Sequence, residues 1–429
     1  MSQPSEDSRT VRAAVEGSAD RLSTLPDGPL QQVLSFLPSR DAVRTCVLAR
    51  RWRNVWKSVP AVRITDVSKF LNAGHLMSFV NDFFLFRGQC PATEVEINSY
   101  DGDDTYEAFM CMEWWVRYGL SCEAKVLRVR SNADLERWAL PDGLLISNYL
   151  VQLELFNLHL GTSFLDFSGC PALEDLRMKG CEIVSKRIMS PSVRRLSITY
   201  CWFGPSERTQ LSFPYRTPLL EIMPLLASAF VRLHTCLDCC DKMYETGNCG
   251  DSTCEGCPDS NYGNKTCLVE GLSASTSLEL ISAQTEFIFR KDLMRCPEFP
   301  KLKNLLLNEW CLTPNLGALD CFLQHAPVLE KLILQFHEVH VDLVENGAKY
   351  DMATEPVALE HLTVEVKCHE VDERISRILD FLDCSGVPSG KIKILPAPKL
   401  IKGSKAPWSS ASLFLKQYLI KMPQPYTHI

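Results

Sequence analysis

A short pattern, apolar-x-x-apolar-x-apolar, recurs along most of this chain and constrains its fold more than any other feature. Copies sit at Ala92/Val95/Ile97, Ala124/Leu127/Val129, Leu150/Leu153/Leu155, Leu173/Leu176/Met178 and Val193/Leu196/Ile198. They continue at Leu226/Ala229/Val231, Leu302/Leu305/Leu307, Leu329/Leu332/Leu334 and Leu359/Leu362/Val364, with a weaker copy at Ser275/Leu278/Leu280. Starting positions step by 32, 26, 23, 20, 33, 49, 27, 27 and 30 residues. Prolines 171, 191, 327 and 356 punctuate several copies. Alternation over so few residues describes a short strand that cannot bury its apolar side alone. Stacked copies bury it together, as a parallel sheet along the inner face of a curved solenoid.

The spacing falls in or just outside the range of leucine-rich repeats, roughly 20–29 residues. Two copies add a terminal cysteine, LEDLRMKGC to Cys181 and VRRLSITYC to Cys201. The pattern Leu residues turn into the core, and the intervening residues lie on the concave face. From the stronger copies these include Glu154, Arg177, Ser197, Leu306, Ile333 and Thr363, the candidate substrate-binding residues. Apolar residues at helical spacing in 67–86 (Phe79, Phe83, Phe86) and 105–118 (Phe109, Met112, Val116) predict convex-side helices of early, atypical repeats. DERISRILDFLDCSG, 372–386, is expected to close the array as a capping helix. The repeat domain is placed at 65–395, followed by an irregular tail at 396–429 whose Leu413–Ile420 stretch can form a last short helix.

The first 19 residues are polar and read as a disordered lead-in. Then LSTLPDGPLQQVLSFLP places Leu30, Val33, Leu34 and Leu37 on one helical face, bounded by Pro26 and Pro38. Ser39 and Asp41 suit the start of a second helix, with Ala42, Val43, Cys46 and Val47 on its apolar face. RRWRNVW spaces Trp52 and Trp56 one turn apart, and both read as packing residues. Three short helices in about forty residues have a marginal core, and such a module can complete it against a partner. From Asp20 to Ile64 there are eight basic residues against three acidic ones, in a chain of net charge -7. A basic module on an acidic body suits an acidic partner near the front.

Residues 20–60 resemble the F-box of plant F-box/leucine-rich-repeat proteins. The landmarks are Leu25-Pro26, Val33-Leu34 with Phe36-Leu37-Pro38, Asp41-Ala42-Val43-Arg44, and Arg50-Arg51-Trp52-Arg53 with Trp56. The resemblance implies an F-box at 20–64 that binds a Skp-type adaptor and, through it, a cullin. Carried over residue by residue, Leu25, Pro26, Leu30, Val33, Leu34 and Leu37 would face the adaptor, supported by Val47 and Trp52. Asp27-Gly28-Pro29 departs from the acidic or aliphatic residues usual after Leu-Pro, and is expected to delay the first helix. The whole would be a non-catalytic substrate-recognition subunit of an SCF-type ubiquitin ligase, its repeats binding an unidentified protein substrate. The alternative is a repeat scaffold acting outside a ligase.

The 49-residue step marks a Cys-rich insertion at 234–267, with seven cysteines. Cys236-x-x-Cys239 and Cys254-x-x-Cys257 are separated by fourteen residues, a spacing that can supply four thiolates to a structural zinc. The other reading is a flexible Cys-rich loop at the rim of the concave face. No cofactor is otherwise implied. The N-terminus lacks the apolar segment of a signal peptide, and the longest apolar stretch, near Ile222–Val231, is far short of the roughly 20 residues of a membrane span. The expected location is cytoplasmic, nuclear or both, so the 19 cysteines are expected to be core residues, metal ligands or thiols and not disulfides. The acidic balance argues against nucleic acid as a partner. Catalytic motifs appear only as near misses: His337-Glu338-Val339-His340 is one residue short of a zinc-protease motif, and Gly250-Asp251-Ser252 lacks a strand–turn–helix setting.

Overall fold

The computed structural model describes residues 24–100, 105–132, 137–161, 164–185, 187–203, 219–221, 223–233, 268–282, 289, 293, 296–312, 316–336, 359 and 361–396. It is an α/β molecule with a helical module at the front and one long parallel sheet behind it. The first helix, α1, spans Asp27–Leu34, with Pro26 as its N-terminal cap residue. Gly28-Pro29 therefore does not delay it. Pro29 falls in the first turn, where a backbone N–H has no intrahelical acceptor and its loss costs nothing. The first i to i−4 bond is Leu30 N–H to the Pro26 carbonyl, 3.3 Å. Helix α2, Ser39–Arg44, has no side-chain cap. The expected Ser39 cap is spent elsewhere: its hydroxyl accepts the Arg63 N–H at 2.9 Å. The Arg50–Ser58 segment is a 3-10 helix that buries Trp52, Val55 and Trp56.

The strands are β1 Ala61–Ile64, β2 Glu94–Asn98, β3 Val126–Arg130, β4 Gln152–Phe156, β5 His159–Leu160, β6 Phe164–Asp166, β7 Asp175–Lys179, β8 Glu182–Ile183 and β9 Arg187–Met189. They continue as β10 Arg195–Phe203, β11 Leu219–Leu220, β12 Ser228–Leu233, β13 Ser277–Ile281, β14 Asn304–Asn308, β15 Lys331–Gln335, β16 Thr363–Cys368 and β17 Ile392–Pro396. Among the described residues, the main sheet runs in chain order β1-β2-β3-β4-β7-β10-β12-β13-β14-β15-β16-β17, and β6, β9 and β11 form a separate small sheet. One inward row threads the main sheet: Val62, Val95, Leu127, Leu153, Leu176, Leu196, Ala229, Leu278, Leu305, Leu332 and Val364 stand in register, each at most 3% exposed. Each fully buried aliphatic side chain in such a row is worth roughly 1.5–3 kcal/mol relative to exposure.

Helix α3, Ala73–Arg87, joins β1 to β2, and α4, Thr105–Ser121, joins β2 to β3. Helix α3 buries Ala73, Leu76, Val80, Phe83 and Arg87, a seam alternating three and four residues. Phe86 lies off that seam and is 61% exposed, contrary to the expected face. The sheet begins at Ala61, inside the segment 20–64 assigned to the three-helix module, because β1 continues directly from the last turn of the module and pairs with β2.

Two expectations at the other end are corrected. Val364 and Val366 pair with Leu332 and Leu334, two residues further along than the expected Leu362/Val364. A slip of two keeps every side chain on its face, so Thr363 stays outward but aligns with Lys331. The helix at 372–386, observed over Glu373–Cys384, does not close the array, since β17 follows it and pairs with β16. That edge strand carries Lys393 and ends in Pro396, residues that discourage further strand addition. The opposite edge, β1, packs against the helical module.

Candidate functional site

The helical module divides its apolar residues between core and surface. Leu30 and Leu34 are 0% and 1% exposed and Trp52 is 5% exposed. Leu30 and Leu34, expected to face a partner, are packed into the module's own core, which a module this small needs. Leu25 and Leu37 are half-buried against that core. Pro26 is exposed, as are Val33 at 46% and Val47 at 82%. Two more residues join these that periodicity did not single out: Phe36 at 73% and Leu48 at 68%. The signal for Phe36 was the family motif Phe36-Leu37-Pro38 rather than helical spacing, since it follows the end of α1, and no motif marked Leu48. Four large apolar side chains exposed on one small module form a surface suited to protein contact.

The module is sutured to the solenoid by two arginines. Arg63 on β1 donates from Nε to the Ser35 carbonyl at 2.8 Å, and its guanidinium pairs with Glu94 at 2.8 Å and Glu96 at 3.3 Å. Arg87, 4% exposed at the end of α3, donates to the Lys57 carbonyl at 2.8 Å and the Pro91 carbonyl at 3.1 Å. The Trp56 ring stacks on Phe83 of α3, centroids 5.3 Å apart. Trp56 is thus core, as read from the sequence, but the core it joins is shared with the solenoid. A rigid joint fixes where anything held by the repeats stands relative to anything held by the module.

On the sheet face opposite the core, the middle outward row runs Arg63, Glu96, Arg128, Glu154, Arg177, Ser197, Phe230, Glu279, Leu306, Ile333, Glu365 and Lys393 in register. The structure therefore brings together five of the six expected concave-face residues, Glu154, Arg177, Ser197, Leu306 and Ile333. Thr363 lies in the neighbouring outward row. An unexpected feature is an ion-pair ladder across the first strands. Beyond the Arg63 pairs, Arg128 meets Glu94 and Glu154, each at 3.3 Å. Arg177 meets Glu154 at 3.3 Å and Asp175 at 2.9 Å, and Arg195 meets Asp175 at 3.2 Å. Asp175 is the buried member, its side chain 5% exposed. Glu365 pairs with Lys331 at 2.7 Å, and that hydrogen bond holds its carboxyl below the usual range.

The cysteines mostly pack. Cys181 and Cys201 are fully buried, with Sγ contacts to the Leu155 and Met178 carbonyls. Burial pushes the Cys201 thiol up, as it does the Cys170 thiol. One pair departs from the expectation of no disulfides: Cys296 and Cys321 are joined, with Cα atoms 5.7 Å apart, inside the range a disulfide bridges. His325, one helical turn beyond Cys321, brings a third ligand atom within 4.8 Å of both sulfurs. The candidate zinc ligands Cys236, Cys239, Cys254 and Cys257 lie outside the described residues, as do His337–His340 and Gly250–Ser252. No helix among the described residues is long and apolar enough to cross a membrane.

A helical module locked onto a parallel leucine-rich solenoid defines an F-box protein with leucine-rich repeats, and the F-box domain family matches residues 22–63. Across the chain, the MEIOTIC F-BOX protein MOF of Oryza sativa subsp. japonica is 29% identical over 344 residues, 73% of this chain and 71% of that one. F-box/LRR-repeat protein 13 of Arabidopsis thaliana is 30% identical over 217 residues, 44% of this chain and 48% of the relative, so the match spans about half of that protein. Another F-box/LRR-repeat protein of Arabidopsis thaliana is 26% identical over 343 residues, 70% and 72% of the two chains. The chain carries an F-box domain and, over most of its length, is similar to plant F-box/leucine-rich-repeat proteins.

Proposed function

We propose that the chain is the substrate-recognition subunit of an SCF-type cullin ubiquitin ligase. Its F-box holds a Skp-type adaptor, and the outward face of its repeats holds a protein substrate. The observation that carries this reading is the exposure of Val33, Phe36, Val47 and Leu48 on a module whose core is already closed by Leu30, Leu34, Trp52 and Trp56. A partner surface laid over those side chains recovers the apolar burial that solvent denies them. The rigid joint at Arg63 and Arg87 supports the same role. A substrate held at a fixed distance from the transfer machinery has a high effective concentration of target lysine, and no residue of this chain need touch the chemistry.

The test is co-purification with a Skp-type adaptor, comparing the parent chain with Val33→Asp/Val47→Asp/Leu48→Asp. All three positions are solvent-exposed, so the variant keeps its fold, which circular dichroism checks. Stoichiometric binding by the parent and its loss in the variant are expected. A folded parent chain that captures no adaptor would leave a repeat scaffold working outside a ligase.

A further inference from the structure

The third outward row, nearest the C-terminal ends of the strands, differs from the self-neutralised middle row. Arg130, Phe156, Lys179, Thr199 and Arg232 stand in register on β3, β4, β7, β10 and β12. The Arg130 guanidinium lies 4.3 Å from the Phe156 ring centroid, and the Lys179 ammonium lies 5.4 Å from the same ring. Arg232 lies 5.6 Å from both Tyr200 and Phe230, and its Nη1 donates to the Tyr200 hydroxyl at 2.9 Å. Its Nε is buried without an acceptor. Tyr200 reaches that position from a left-handed backbone, φ 55°, costly for a bulky residue. Among the described residues, no carboxylate lies within ion-pair distance of Arg130, Lys179 or Arg232, whereas Arg63, Arg128, Arg177 and Arg195 one or two rows away each have at least one. Among the described residues, three cations are thus held on aromatic rings without counter-charges.

We propose that this row docks an acidic peptide segment of the substrate, with carboxylates at every third position. The proposal rests on the substrate-reading role argued above. Adjacent strands stand about 4.8 Å apart, so Arg130, Lys179 and Arg232, each two strands from the next, are separated by steps of about 9.6 Å. A polyproline II segment rises about 3.1 Å per residue with three residues per turn, about 9.3 Å per turn. Laid across the strands, such a segment sets side chains i, i+3 and i+6 over the three cations. Each arginine can fork onto a carboxylate, and the half-buried Phe156 ring takes an apolar residue between them. A continuous polyanion fits worse, because its charges are closely spaced whereas the three cations stand about 9.6 Å apart.

The test uses the full chain and fluorescence anisotropy at low salt with three labelled nine-residue peptides. One carries Glu at positions 1, 4 and 7 in a Pro/Ala background, one carries the three Glu contiguously, and one carries Lys at 1, 4 and 7. The spaced acidic peptide is expected to bind most tightly and to weaken with added salt. The variant Arg130→Gln/Lys179→Gln/Arg232→Gln is expected to lose about tenfold, a factor of two or so for each exposed pair. Arg130→Gln/Lys179→Gln, which touches only exposed side chains, should lose about fourfold and keeps the test valid if the triple variant misfolds. Equal binding by parent and double variant, equal binding of spaced and contiguous peptides, or tighter binding of single-stranded RNA than of the spaced peptide would each overturn the proposal. Adaptor capture measured on the same preparation reports the ligase reading separately: a chain that captures adaptor but ignores the peptide sinks only the docking row.

Discussion

The two halves of the outward sheet face share one inward design and differ in what they show to solvent. From β1 to β10, the middle row and the row on its N-terminal side alternate charge, and their arginines and carboxylates are paired at 2.8–3.3 Å. From β12 to β15, the same row reads Phe230, Glu279, Leu306 and Ile333. Inward, both halves place a fully buried aliphatic residue at the same register. The repeat therefore fixes the strand and leaves the outward residues free to vary. The middle row of the paired half offers little net field of its own and must break an internal contact before it can grip anything. The other half, uncharged in its middle row apart from Glu279, can bury apolar and aromatic side chains of a bound protein with no such cost.

If the halves differ only outward, the largest effects should be symmetric. Leu153→Ala in the paired half and Leu305→Ala in the uncharged half each remove a side chain at most 1% exposed, and each should cost about 2–5 kcal/mol in urea unfolding. Costs differing by more than the spread normal for one chemistry would break the comparison and show that the ladder also supports the core beneath it. The next effect should be asymmetric. Asp175→Asn leaves Arg177 and Arg195 facing an amide at a buried position, for a loss of about 1–3 kcal/mol. Glu279→Gln, at a carboxylate without an ion pair among the described residues, should stay within about 0.5 kcal/mol. Equal losses would mean that the ion pairs at Asp175 add nothing.

How much of this was legible in the sequence depends on the length of the signal. The inward row was, because each copy repeats the same spacing and the stack multiplies a weak local pattern. The one error of register, at Leu359/Leu362/Val364, arose where three apolar residues in period two admit either of two alignments, and only pairing with Leu332 and Leu334 selects one. The first strand, Ala61–Ile64, stayed hidden although Val59/Val62/Ile64 repeats the full pattern, because it adjoins helical residues inside the segment assigned to the front module. The split of the F-box residues between core and surface was also out of reach. Leu30, Val33, Leu34 and Leu37 share one helical face, and periodicity alone cannot tell which part of that face meets the module and which meets solvent. The ion-pair ladder depends on residues 20 or more positions apart landing on neighbouring strands, so it becomes visible only once the register is known.

The smallest effect separates the two ends of the solenoid by their helix caps. At the N-terminal end, the Asn72 side-chain oxygen caps α3 by accepting from the His75 N–H at 2.9 Å. At the C-terminal end, Asp372 caps the helix before β17 by accepting from the Ile375 N–H at 3.0 Å, and it also pairs with Arg374. Burial pushes the Asp372 carboxyl up, but the Arg374 and Ile375 hydrogen bonds outweigh it and hold the group below its ordinary range. A folded-state value below the unfolded one means that the stability from Asp372 is full above the unfolded carboxylate range and is lost as pH falls through the folded value. Each cap replaced by Ala should cost about 1 kcal/mol near neutral pH, somewhat less for Asp372 because its side chain is more than a third exposed. In thermal unfolding repeated at pH about 3, below the ordinary Asp range, the Asn72→Ala penalty should persist and the Asp372→Ala penalty should shrink. A penalty at Asp372 that is unchanged by acid would mean that the cap works through its neutral oxygen alone, and that the last repeat is held by packing of Ile375, Ile378 and Leu382 rather than by charge.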